Sequence, residues 1–190
     1  FGIVHLAKLV NMDAAMLAAA TLAIYIFVYT PLKRRSSWNT IVGAVSGALP
    51  PVIGWVAAGG AYDLGAAWWF ALLFFWQLPH FFAINWIYRD EYRKGGFVML
   101  ANEDENGRKT SVWSLVFAVV LVLLAIAAPV IGLAHWWFVA PGVLLGGAIV
   151  WLSLRFVRER SVSVARKLFF GTLIYLCLLY TSPSPRDKHR

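Results

Sequence analysis

The sequence predicts an all-α, polytopic membrane helical bundle, and three observations lead there. The 190 residues are 61% hydrophobic and only 14% charged, whereas soluble domains are about half apolar and about a quarter charged. The apolar residues fall into long unbroken runs, and only helices or closed barrels satisfy every backbone group in hydrocarbon. Lys and Arg gather in alternate connections between those runs, the asymmetry of a multi-pass protein.

Taken in order, five runs are long enough to span: about Met12 to Thr30, Ile41 to Gly59, Ala66 to Tyr88, Val112 to Leu133 and Trp136 to Phe156. A sixth, Leu168 to Tyr180, has 13 residues and is short against the roughly 20 that a span needs. One membrane domain is therefore expected over 1–180, with the polar TSPSPRDKHR at 181–190 read as a disordered tail foreign to the native protein. The chain opens at Phe1 with no charged leader and reads as an internal piece of a longer one.

The connections set orientation. GGAYDLG (59–65) and the turn at 132–135 hold no Lys or Arg. The charged stretches 31–40, 89–111 and 155–167 are expected in the cytoplasm, making this a multi-pass protein of the inner (cytoplasmic) membrane. A net charge of +8 would suggest nucleic acid in a soluble protein. Here the bases flank spans and face lipid headgroups, so no nucleic acid partner is expected. Cys177 is the only cysteine, which excludes a disulfide framework and any multi-cysteine metal site.

Three motifs carry chemistry. YTPLKRRSSWNT places Lys33, Arg34 and Arg35 just before the second span, as topology anchors or as ligands for an anionic phosphate. The following IVGAVSGALPPVIGW has a small-residue surface, Gly43 to Ala48, that permits close approach of a helix or a flat ligand. Its Pro50–Pro51 pair removes two donors and is expected to kink or open the helix. WQLPHFFAINWIYRDEYRKGGFVML buries Gln77 and His80 in an apolar helix that ends in charge. At about 100° per residue, Gln77, His80, Ile84, Tyr88 and Glu91 fall within about 60° of one another if the helix runs on. Polar groups at that depth face a cavity or bundle interior. Asp90 and Glu91 open a loop with two readings: a solvated stretch whose charges roughly cancel, or carboxylates at the membrane surface that bind Mg²⁺ and through it a diphosphate, with neighbouring Arg and Lys neutralising the same oxygens. Glu103, Asp104 and Glu105 add acids later in the loop, and Gly95–Gly96 before Phe97–Leu100 reads as a loop folding back onto the membrane face.

The order YTPLKRR, GAVSGALPPVIGW, FWQLPHFFA, YRDEYRKGGFVML and ARKLF resembles the protohaem IX farnesyltransferases (haem O synthases). They form a branch of the UbiA superfamily of intramembrane prenyltransferases. The resemblance runs from Phe1 to about Leu179 and implies a nine-helix bundle around a central cavity, of which 1–180 would supply about six helices, the C-terminal two-thirds. It implies transfer of the farnesyl group of farnesyl diphosphate to a vinyl group of haem B, giving haem O and diphosphate. Mg²⁺ is the implied cofactor, and haem A synthase or the terminal oxidase assembly are candidate partners. Of the superfamily's two acid-rich motifs, the later one matches Asp90 and Glu91, as metal-holding and catalytic residues. The earlier one is expected upstream of Phe1, so the 190 residues alone are expected to be inactive.

Under the same resemblance, Lys33, Arg34, Arg93 and Lys94 would contact diphosphate or haem propionates. His80, with Trp76 and Gln77, would contact the porphyrin, either through iron or through a propionate hydrogen bond. Trp76, Phe81, Phe82 and Trp86 would line a dry cavity for the farnesyl cation. Two alternatives remain at this point. One is another intramembrane aromatic prenyltransferase, of quinone biosynthesis; the other is a secondary transporter, in which buried polar groups line a path without metal.

Overall fold

The computed structural model describes residues 1–180, and every regular element within them is helical. The tail expected at 181–190 lies outside the described residues. A short α1 (Gly2–Leu9) leads into α2 (Met12–Ala23), whose Asn11 cap accepts the Ala14 N–H at 2.8 Å. α2 continues through a π-helical stretch, Ile24–Tyr29, into α3 (Thr30–Leu32). Then follow α4 (Asn39–Ala57), α5 (Leu64–Ile87), the short α6 (Arg89–Lys94) and α7 (Leu100–Glu103), α8 (Arg108–Val130), α9 (Val139–Glu159) and α10 (Val162–Tyr180). Six of these stretches are long and apolar enough to cross a membrane, and the chain is a multi-pass membrane protein.

α5 is the hub. It packs against α4, α8 and α10, while α9 closes a ring through α8 and α10; α2 packs chiefly on α4 and α1. Half of the α5 span is buried against 6% for the α2 span, so α2 forms the open edge of the bundle. Within lipid there is little hydrophobic gain in helix association, and close packing with interhelical hydrogen bonds takes its place. Three α5 tryptophans show this. The indole N–H of Trp68 donates to Leu124 O at 2.9 Å, that of Trp76 to Thr172 O at 2.7 Å, and that of Trp86 to Arg160 O at 3.1 Å. Small residues allow the α8–α9 contact: a Cβ on Gly142 would lie 2.8 Å from Ala125 Cβ, and one on Gly146 would lie 2.9 Å from Val122.

Four expectations are corrected. α4 runs unbroken through Pro50 and Pro51, so the pair costs two backbone bonds without opening the helix, and of the expected kink or opening only the opening is overturned. The last helix is not short: α10 starts at Val162 and takes Arg166 and Lys167 into itself, since long basic side chains at a helix end reach back to the interface. The stretch 155–167 is correspondingly almost all helix, with only Arg160 and Ser161 between α9 and α10. Finally, α5 stops at Ile87, because Tyr88 takes φ −109°, ψ 25°. The polar stripe of Gln77, His80 and Ile84 therefore does not extend along one helix to Glu91.

Candidate active site

A cavity of about 880 Å³ opens between α1, α2, α4, α5 and the loop after α6. That lies in the range of roughly 300–1,000 Å³ typical of small-molecule sites. Its walls are mainly apolar, with polar groups at two levels.

The first level is the mouth, on the side where Lys and Arg concentrate. Lys33 follows α3, and its Nζ lies 4.3 Å from the Tyr29 ring centroid and 5.8 Å from that of Tyr25. The π-helical stretch carries both tyrosines, which stand together at 5.1 Å. Such a stretch is rare and frequent at functional sites. Two contacts fold the post-α6 loop over this point: Val98 N–H donates to Lys33 O at 2.8 Å, and Asn39 Nδ2 donates to Val98 O at 2.6 Å. Gly96, at φ 71°, makes the turn that brings Phe97 back against Tyr92, 6.2 Å between ring centroids. Burial, then the neighbouring Tyr29 and Tyr88, push the Tyr92 phenol above its ordinary value, so it stays a neutral donor at the rim. The first turn of α4, with Asn39 and Thr40, also lines the mouth and adds the positive end of a helix dipole to the Lys33 charge.

The second level is mid-membrane. Gln77 and His80 line the cavity from α5. Gln77 lies across Gly47, where a Cβ would collide with its Oε1, and its Nε2 donates to Ala44 O at 2.8 Å. Gly43 likewise makes room for the Tyr29 ring, 2.8 Å from a Cβ placed there. The small surface 43–48 thus seats two of the protein's own side chains. Pro50 and Pro51 leave the carbonyls of Ser46 and Gly47, both in the cavity wall, without an i+4 donor. His80 is stacked between Phe169 (4.6 Å) and Trp76 (5.3 Å), and its Nδ1 is 2.9 Å from Thr172 Oγ1.

The other expected site residues lie elsewhere. Trp76 is buried behind His80, bonded to Thr172 O, and does not line the cavity. Arg34 is exposed outside it. Asp90, Glu91, Arg93 and Lys94 sit on α6, exposed, with only Tyr92 of that helix among the lining residues. Asp90 and Arg93 approach at 4.0 Å, an ion pair open to solvent on both sides. Asp104 is buried, and its Oδ2 accepts the Thr110 N–H at 2.7 Å, capping α8. Of the aromatic side chains expected to line the cavity, only Phe81 does. Phe82 and Trp86 pack in the core, and Tyr25, Tyr29 and Phe97 stand in the wall instead. Among the described residues no three His, Cys, Asp or Glu side chains form a metal-holding group. Mg²⁺ is usually held by one or two carboxylates together with substrate phosphates, so adjacent, accessible Asp90 and Glu91 fit half of such a site and no more.

The UbiA prenyltransferase family profile matches residues 1–176. The chain belongs to this family. A protoheme IX farnesyltransferase from Solibacter usitatus is 37% identical over 179 residues, 94% of this chain and 61% of that one. The mitochondrial protoheme IX farnesyltransferase of Arabidopsis thaliana is 41% identical over 171 residues, 90% of this chain and 40% of its own length. Against that of Opitutus terrae the identity is 38%, with 58% of the relative covered. These relatives bear out the haem-branch resemblance read from the motifs, and the chain spans less than two-thirds of each. A UbiA-type fold is also what the structure of a digeranylgeranylglyceryl phosphate synthase shares: TM-score 0.77 at 15% identity, over 94% of this chain and 62% of that one.

Proposed function

We propose that the chain belongs to a protohaem IX farnesyltransferase, which transfers farnesyl from farnesyl diphosphate to a vinyl group of haem B, giving haem O and diphosphate. The observation that carries the reading is the pairing of two unlike polar levels in one cavity: a lysine cation at the mouth and an imidazole in the membrane interior. A prenyl diphosphate and a haem propionate both need the first; the macrocycle of haem offers a partner for the second. A quinone precursor ring offers His80 no iron.

The chemistry asks three things of the residues. The allylic C–O bond breaks with its electron pair leaving on diphosphate. Lys33 and the α4 N-terminus would meet the charge that grows there, with Arg34, Arg93 and Lys94 as further contacts to diphosphate or propionates from outside the cavity wall. Asp90 and Glu91 would hold Mg²⁺, which when bound neutralises diphosphate oxygens. The vinyl π electrons form the new C–C bond to the farnesyl cation that remains. The charge this leaves on the vinyl carbon next to the porphyrin is quenched when a water adds there and loses a proton. The farnesyl cation itself must meet no water before the C–C bond forms. Phe81, Tyr25 and Tyr29 give it aromatic faces, and the apolar wall excludes solvent. His80 and Gln77 orient the macrocycle, with Trp76 supporting the imidazole from behind. The setting is the inner (cytoplasmic) membrane, with the Lys33 mouth on the cytoplasmic side. Haem A synthase or terminal oxidase assembly would receive the product.

Membranes carrying the full-length protein test this, supplied with haem B and farnesyl diphosphate. Haem O is expected, and His80→Ala should weaken haem binding and turnover at least tenfold, an effect typical of a lost metal or oriented contact. Prenylation of an aromatic acid with haem B untouched would overturn the reading.

A further inference from the structure

We propose that Thr172, on α10, is a positioning residue that sets which nitrogen of His80 faces the cavity. Thr172 is fully buried. Its hydroxyl has a single proton, which it donates to Phe169 O at 2.6 Å, three residues back along the same helix. Toward His80 Nδ1, 2.9 Å away, the same oxygen has only lone pairs to offer. The imidazole is then the donor, with its proton on Nδ1, the Phe169 carbonyl standing by as a second acceptor for it, and Nε2 keeps a lone pair for the cavity that His80 lines.

The surroundings hold this arrangement. The ring stacks at 27° to Phe169 and 20° to Trp76, contacts that resist tilting. A half-turn flip within the sandwich would set a C–H against the Thr172 oxygen, losing the bond in an apolar site where no water replaces it. Thr172 is itself pinned, because its carbonyl accepts the Trp76 indole N–H at 2.7 Å. One α10 residue therefore ties the two stacked α5 side chains with its two oxygens. Second-sphere partners of this kind fix tautomer and orientation in metal-binding histidines. The inference rests on the reading that His80 meets the haem macrocycle, and it specifies how: through Nε2, as an acceptor toward iron.

The test uses full-length protein with ¹⁵N-labelled histidine, His80 being assigned by its loss in His80→Ala. Wild type and Thr172→Ser should both show a protonated Nδ1 and a bare Nε2. Thr172→Val keeps the shape and the backbone carbonyl but removes the oxygen, and it should shift His80 toward the other tautomer. Haem titrations followed by the Soret band should then show roughly 10- to 100-fold weaker binding for Thr172→Val, restored in Thr172→Ser. An unchanged His80 tautomer in Thr172→Val overturns the role of Thr172. A changed tautomer with haem affinity intact in both Thr172→Val and His80→Ala overturns the haem contact instead, and leaves the tautomer assignment standing.

Discussion

Lys33 serves the cavity mouth with two separate parts: its backbone oxygen ties down the loop through Val98 N–H at 2.8 Å, while its Nζ lies over the Tyr29 ring at 4.3 Å. Substitution of the side chain should therefore spare the fold. Lys33→Gln is expected to raise KM for farnesyl diphosphate roughly 10- to 100-fold, since a hydrogen bond to a charged group is worth about 1.5–3 kcal/mol and each 1.4 kcal/mol or so is tenfold. A normal unfolding midpoint with an unchanged KM would show that the cation meets no substrate. The exposed acids make a sharper contrast. Asp90→Asn with Glu91→Gln should abolish Mg²⁺-stimulated turnover and leave stability alone, because the one ion pair they lose is solvent-exposed on both sides and such pairs contribute little. Lys33 was readable from its place in KRR beside a span. Tyr29, Asn39 and Thr172 were not, because each acquires its role from a partner brought in by packing: Val98 lies 59 residues from Asn39, and Thr172 lies 92 from His80.

At the level of elements, spans are legible because hydropathy is local, and ends are not, because ends depend on single contacts. The sixth span looked short only because Arg166 and Lys167 read as loop, while their α10 positions let the side chains leave the membrane. Pro50 and Pro51 carried a correct warning about missing donors and a wrong one about continuity. The π-helical stretch 24–29 had no compositional mark at all. Acids in the 89–111 loop looked alike in sequence, yet Asp104 belongs to structure. It satisfies one of the four N–H groups that open α8. Asp104→Ala should cost about 1–2 kcal/mol and lower the unfolding temperature, with KM values unchanged in the surviving protein, and Asp104→Asn should recover part of the loss by restoring an acceptor. The α4–α5 contact is as exacting. Gly47→Ala would drive Gln77 off Ala44 O, and about 1–3 kcal/mol of destabilisation is expected from such overpacking, together with weaker haem binding. A thermally silent Gly47→Ala would mean that Gln77 moves aside freely.

For the whole molecule, the bundle's orientation follows from where its cations end. The connections after α3, around α6 and between α9 and α10 carry the Lys and Arg, whereas 58–63 and 131–138 carry none. Helices that alternate in direction put the first set on one face and the second on the other, and the proposed orientation keeps the basic face in the cytoplasm. The cavity mouth with Lys33 shares that face, so farnesyl diphosphate, too charged to cross lipid, would enter from the side where its diphosphate stays in water. Single cysteines in a Cys177→Ser background report this directly, at four sites outside the cavity: Tyr62 and Trp137 on one face, Glu105 and Ser161 on the other. A membrane-impermeant thiol reagent applied to intact spheroplasts should label Tyr62→Cys and Trp137→Cys, and should reach Glu105→Cys and Ser161→Cys only after lysis. The reverse pattern would place the diphosphate mouth on the far side of the membrane, away from a cytoplasmic supply of prenyl diphosphate. It would remove the physical reason for keeping Lys33 in the cavity wall and the exposed Arg34, Arg93 and Lys94 on the same face of the bundle.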